Sequence, residues 1–178
     1  SVASKKAKIV TSISMFYDLE DPVSFAKAVE SVLSDEGVWV FEQSYLPAML
    51  RQNSYDTICH EHLEYYSLTA ISFILSEAGM TLIDASQNEV NGGSVRLAAV
   101  KNKSKLSSKI SPEAIWLMGQ EKNHDLYSID SFKVFEQNVS RQKIDLINLL
   151  NELKNKKKTV IGYGASTKGN VILQYCGI

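Results

Sequence analysis

The chain has 178 residues, 44% of them hydrophobic and 22% charged, a globular composition that excludes disordered and fibrous classes. With 19 Lys plus Arg against 20 Asp plus Glu, the net charge is -1, so no overall basic field draws in nucleic acid or an anionic membrane. No apolar run reaches the roughly 18–20 residues of a membrane span, and Cys59 and Cys176 are too few for a disulfide framework.

These limits lead to the expectation of a cytoplasmic α/β protein with no nucleic-acid, membrane or metal partner. Ser1 is not an initiator Met, and the chain stops at Ile178 just past a helical pattern. It therefore reads as part of something longer.

Lys8 to Ser14 is β-branched and bounded by charge, a strand pattern. Asp21-Pro22 then supplies an N-cap and a proline at the first helical position, and Phe25, Ala26, Val29, Val32 and Leu33 follow at helical spacing. Gly37 suits the stop of that helix, and Val38 to Glu42 reads as a buried strand parallel to the first. From Gln43 to Ser67 no periodicity is clear. A loop of about 25 residues is too long to be idle in a compact domain.

Thr69 to Ala78 is a helix stopped by Gly79, and Thr81 to Ala85 and Val95 to Val100 are strands joined through Asn91-Gly92-Gly93 as an antiparallel hairpin. A parallel sheet closed by such a hairpin is the arrangement of the C-terminal half of class I methyltransferases, the Rossmann-like fold class expected here. Lys101 to Ser111 is polar and linker-like. Beyond it, Pro112 opens a helix to about Glu121, and Ile129 to Leu153 mark a long helix interrupted near Gln142 and Lys143. Thr159 to Tyr163 is a strand pattern running through Gly164 into an apolar helix from Asn170. This gives two units, residues 1–102 and residues 111–178.

Ligands of open parallel sheets bind beyond the carboxyl ends of the strands. Two segments leave from such ends, Ser14 to Tyr17 and the long loop containing Cys59-His60-Glu61-His62. Three readings of His60-Glu61-His62 stay open: local structural hydrogen bonding, a metal site lacking a third ligand of recognisable spacing, and acid–base work by imidazole beside carboxylate. The Gly162-Tyr163-Gly164-Ala165-Ser166-Thr167-Lys168 turn is either ligand-free or an anion cradle. Asn91 and Arg96 either touch substrate or sit in a turn built for its own geometry. Trp39 and Trp116 are expected in the core, and His124 on the surface.

Tyr55 to Ser67 (YDTICHEHLEYYS) resembles a signature of sugar-nucleotide C-methyltransferases, which methylate ring carbons of keto-deoxysugars. Phe16 to Pro22 (FYDLEDP), Asn91 to Arg96 (NGGSVR) and Gly162 to Asn170 (GYGASTKGN) match in the same order, so the resemblance spans essentially the whole chain. It implies a methyltransferase domain followed by the family's C-terminal domain, with His62 as the proposed base and Glu61 beside it. On chemical grounds His60 and Tyr65 join the expected catalytic set, with Tyr65 or Tyr66 donating to the developing oxyanion. Substrate contacts would come from Asn91, Arg96, Gly162, Tyr163, Gly164, Ser166 and Lys168, and cofactor contacts from Met15 and Phe16.

Relatives usually carry a tyrosine where Cys59 stands and a histidine near the Phe16 segment. S-adenosylmethionine would be bound mainly by an N-terminal half that does not precede Lys8, so this piece alone is expected to be inactive. The expected partner is a sugar nucleotide, with a homo-oligomer left open. The rival readings are a nucleotide- or dinucleotide-binding module and a non-catalytic assembly domain.

Overall fold

The computed structural model describes residues 5–126, 128–164 and 166–178. Four strands, β1 (Ala7–Ile13), β2 (Leu33–Ser44), β3 (Met80–Asn88) and β4 (Ser94–Lys101), form one sheet in the order β1-β2-β4-β3. β1 runs parallel to β2, while β4 is antiparallel to both β2 and β3. The expected antiparallel hairpin is present at one edge of the sheet. β4 is inserted between β2 and β3, which leaves β3 at the edge.

Six helices accompany the sheet among the described residues: α1 (Pro22–Val32), α2 (Leu46–Gln52), α3 (Leu68–Glu77), α4 (Pro112–Asn123), α5 (Ile129–Asn155) and α6 (Thr167–Cys176). α1 starts as its sequence demands, with Asp21 accepting from the Ser24 amide and Pro22 in the first turn. It does not stop at Gly37. The chain turns extended at Leu33, whose side chain is fully buried. Gly37 instead lies inside β2, where a Cβ would stand 2.8 Å from the Ala7 carbonyl oxygen. Close backbone approach, not helix termination, accounts for that glycine.

One sheet face carries Trp39, Phe41 and Gln43 of β2 with Val95, Leu97 and Ala99 of β4, all buried. Trp39 and Phe41 stack at 4.2 Å between ring centroids, and Phe16 closes on both at 5.5 and 5.6 Å. Ala26 and Val29 of α1 and Ile71 and Leu75 of α3 complete this core. The alternate residues of β2, from Val38 to Ser44, are half-buried on the other face.

The aperiodic stretch after β2 is more regular than its sequence suggests, because it holds α2 and a 3-10 turn at Tyr55–Thr57. Seven residues are too few for a helical period to emerge. α5 runs unbroken through Gln142 and Lys143, whose polar side chains leave the helix backbone intact. Trp116 is 60% exposed rather than in the core, whereas Trp39 is fully buried. Residues 159–163 form no strand, since nothing among the described residues pairs with them, and Ile161 is 86% exposed. No helix among the described residues is long and apolar enough to cross a membrane.

α4 packs on β3 and α3, placing Ala114 and Leu117 in the sheet's own core. Its last turn carries Glu121, 1% exposed. One Glu121 oxygen accepts from the Tyr45 hydroxyl and the Leu68 amide, and the other from the Thr69 amide and hydroxyl. A buried charge persists only when its lone pairs are filled in this way. The carboxylate thereby caps the start of α3 and fastens α4 to the end of β2. Burial, and the Glu121 charge next, hold the Tyr45 phenol far above its ordinary pKa. Glu121→Ala should orphan four donors and cost about 3 kcal/mol or more, read as a lower urea midpoint, with Glu121→Gln intermediate.

Candidate active site

The site is built at the carboxyl ends of β1 and β2. Ser14 leaves β1 at φ 52, with its amide donating to the Glu42 carbonyl at 2.8 Å, and the chain turns sharply into Phe16–Asp18. That turn aims the Tyr17 carbonyl at the long loop, where it accepts from the amides of both Leu63 (3.0 Å) and Glu64 (3.1 Å). The loop is held at its far end by the Leu46 amide, which donates to the Tyr66 carbonyl at 3.0 Å.

Within this frame the His62 Nδ1 lies 2.9 Å from the Thr57 carbonyl oxygen. A carbonyl only accepts, so Nδ1 carries the proton and the neutral ring keeps its lone pair on Nε2. The Tyr17 ring packs on the imidazole at 4.5 Å between centroids. Tyr65 donates its hydroxyl to the same Thr57 carbonyl at 3.3 Å, and burial raises the pKa of its phenol. Its hydroxyl is thus engaged behind the histidine.

His62 opens onto a cavity of about 380 Å³ that Glu61, Cys59, Tyr17 and Ser44 also line. The opposite wall is Asn91 of the β3–β4 turn with Ser166, Thr167 and Lys168 at the start of α6. Lys168 donates to the Asn91 carbonyl at 3.0 Å, which joins the start of α6 to the β3–β4 turn along that wall. α6 is held there from its other end, where Tyr175 packs on Tyr55 at 5.2 Å and the Cys176 sulfur lies 3.7 Å from the Tyr55 hydroxyl. Burial, and then the contact with Cys176, push the Tyr55 phenol up to about 12.

From the residues singled out in the sequence the structure gathers Tyr17, Cys59, Glu61, His62, Asn91, Ser166, Thr167 and Lys168, and it adds Ser44. Ser44 ends β2 directly after Glu42 and Gln43, and nothing in its local sequence singles it out. His60 is solvated instead, its side chain 86% exposed and 3.8 Å from Glu61, and it does not line the cavity. Arg96 is exposed in mid-strand on β4, opposite Glu42 and Ser86. Gly162, Tyr163 and Gly164 are exposed and do not line the cavity, and Ala165 lies outside the described residues. The Phe16 ring is 1% exposed in the core aromatic cluster, which leaves Met15, half-buried, as the open one of that pair. Tyr66 is buried with its hydroxyl unpartnered.

A second cavity, of about 410 Å³, lies between α2, α4 and α5. Its walls are largely apolar, and its deepest polar group, Glu121, is already saturated with donors.

Residues 89–178 match the family of C-methyltransferase C-terminal domains. The chain belongs to that family. It is also 27% identical to the C-methyltransferase NovU of Streptomyces niveus over 172 residues, which make up 97% of this chain and 40% of that protein. The chain thus spans about two fifths of the curated relative's length.

Among solved structures, LepI in complex with SAM aligns with a TM-score of 0.46 at 12% identity, over 55% of this chain and 27% of that one. An S-adenosylmethionine-dependent methyltransferase from Clostridium acetobutylicum ATCC 824 aligns at 0.44 and 14% identity, over 55% and 59%. Both likenesses are partial.

The Asn91-Gly92-Gly93 turn has a structural reason of its own. Gly93 sits at φ 114, and a Cβ there would stand 2.6 Å from the Ala48 Cβ of α2. Gly93→Ala should therefore destabilise by about 2 kcal/mol or more, lowering Tm by roughly 4–8 °C in a calorimetric scan.

Proposed function

We propose that the chain is the C-terminal portion of an S-adenosylmethionine-dependent C-methyltransferase whose acceptor is a ring carbon beside a ketone in a sugar nucleotide. The sheet is then the C-terminal half of a Rossmann-like methyltransferase sheet, and residues 111–178 begin a domain associated with the nucleotide. The observation that carries this reading is His62. Its Nδ1–H is committed to the Thr57 carbonyl, its Nε2 is left as a base, and it lines a cavity facing the first turn of α6.

A carbon next to a ketone becomes nucleophilic once its proton is removed. Nε2 of His62 takes that proton, and the C–H electron pair moves into the enolate. Glu61, on the cavity wall beside it, polarises the imidazole or orients the acceptor. S-adenosylmethionine, held mainly by parts of the parent protein outside these residues, supplies an electrophilic methyl when bound. From this chain Met15, at the end of β1, would touch it.

The other wall suits an anion. The first turn of a helix presents free amides, and the Ser166 side chain caps none of the α6 amides. The Lys168 ammonium uses one donor on the Asn91 carbonyl and keeps the others for a ligand. A pyrophosphate there would place the sugar between α6 and His62.

In the full-length parent, His62→Ala should lower kcat by roughly 10²–10⁴, measured by transfer of labelled methyl to a keto-deoxysugar nucleotide. Unchanged turnover removes His62 from the chemistry. Lys168→Ala should raise KM for the nucleotide substrate by about tenfold or more, the worth of a charge-assisted contact, with kcat little changed. Calorimetry on the same protein separates the rival readings. S-adenosylhomocysteine binding without NAD binding supports a methyltransferase, and the reverse supports a dinucleotide module.

A further inference from the structure

We propose that Tyr17 is a catalytic residue, its phenol donating the hydrogen bond to the acceptor oxygen that becomes negative as His62 removes the adjacent proton. This rests on the methyltransferase reading and supplies the group that it lacks. An enolate oxygen needs a donor beside the base, and neither tyrosine of the Tyr65-Tyr66 pair is available. The Tyr65 hydroxyl is engaged with the Thr57 carbonyl. Tyr66 is in the core, 5.4 Å from the Phe16 ring, and does not line the cavity.

Tyr17 meets the requirements that those two do not. Tyr17 is 8% exposed and is among the residues that line the cavity. Its ring packs on that of His62 at 4.5 Å between centroids, and both residues line the same cavity, so a base and a phenol stand side by side at one site. It is fixed from behind, because its carbonyl holds the Leu63 and Glu64 amides of the loop that carries the histidine. Burial raises its pKa, with the Ser14 side chain working the other way and the nearby Asp18 and Cys59 adding to the rise. The phenol therefore retains a proton to give.

Preorganised donors of this kind act where charge develops and in a site partly withdrawn from water. The balance closes within the proposed reaction. The C–H bond breaks, its proton passes to Nε2, and its electron pair becomes the carbon–carbon double bond of the enolate while the carbonyl pair moves to oxygen. That oxygen accepts from Tyr17. When the C–CH3 bond forms, the carbonyl is restored and the methyl–sulfur bond electrons leave on the thioether.

Two readouts in the full-length enzyme test the role, with a thymidine-diphosphate 4-keto-6-deoxyhexose as acceptor. One is methyl transfer. The other, with methyl donor omitted, is exchange of the acceptor-carbon proton with D2O, followed by NMR. Tyr17→Phe keeps the ring packing and the backbone carbonyl, and should lower kcat by roughly 10²–10³ with KM changed less than about threefold. Exchange should slow by a similar factor.

A Tyr17→Phe enzyme within about threefold of wild type in both readouts, beside a dead His62→Ala enzyme, overturns the role of Tyr17 alone. If His62→Ala is also silent, or wild type neither exchanges nor methylates the keto sugar, the methyltransferase reading fails and takes this inference with it.

Discussion

One backbone carbonyl organises the site. The oxygen of Tyr17, turned outward by the left-handed bend at Ser14, accepts from two successive amides of the loop that carries His62. Successive amides can converge on one acceptor only if the loop bends around it, so this pair of bonds sets both the height and the curvature of the loop above the sheet. The Thr57 carbonyl then finds the His62 Nδ1 within 2.9 Å, and the Tyr17 ring lies against the imidazole. A bend in β1's last turn thereby becomes a choice of histidine tautomer.

That arrangement needs a sheet whose ends do not move. The inserted antiparallel strand supplies this, because β4 is paired along both edges and joins β2 to β3. The Glu121 carboxylate ties the end of β2, the start of α3 and the last turn of α4 into one hydrogen-bonded knot. Four donors on one buried carboxylate form a costly arrangement unless all four are present, which favours the assembled state over partial ones. α4 lies within the residues that match the family's C-terminal domain, yet its apolar face belongs to the sheet's core.

The cavity is shared between two stretches far apart in sequence. Its basic and hydroxyl-bearing wall comes from the start of α6 and its imidazole wall from the loop after β2. α6 is seated by aromatic packing on Tyr55, the residue that opens the 3-10 turn ending at Thr57. One short turn therefore supports both walls, through its side chain on one side and its last carbonyl on the other.

Local chemistry made much of this readable beforehand. Asp21-Pro22 and Gly79 act through the residues nearest them, and the apolar and β-branched patterns of β1, the later part of β2 and β4 carried their own strand signal. The Cys59 to Tyr66 loop stood out because two of three histidines fall in one window on the face where ligands bind. What sequence by itself could not decide was which side chains survive for chemistry once packing has made its claims. Phe16 and Tyr17 are adjacent aromatics, yet one is enclosed by Trp39 and Phe41 while the other lines the cavity. His60 and His62 differ only by which faces water. Gly37 resembles a helix stop until the Ala7 carbonyl appears beside it. Each of these outcomes depends on atoms brought close by contacts between residues distant in sequence, and a one-dimensional pattern holds no record of those distances.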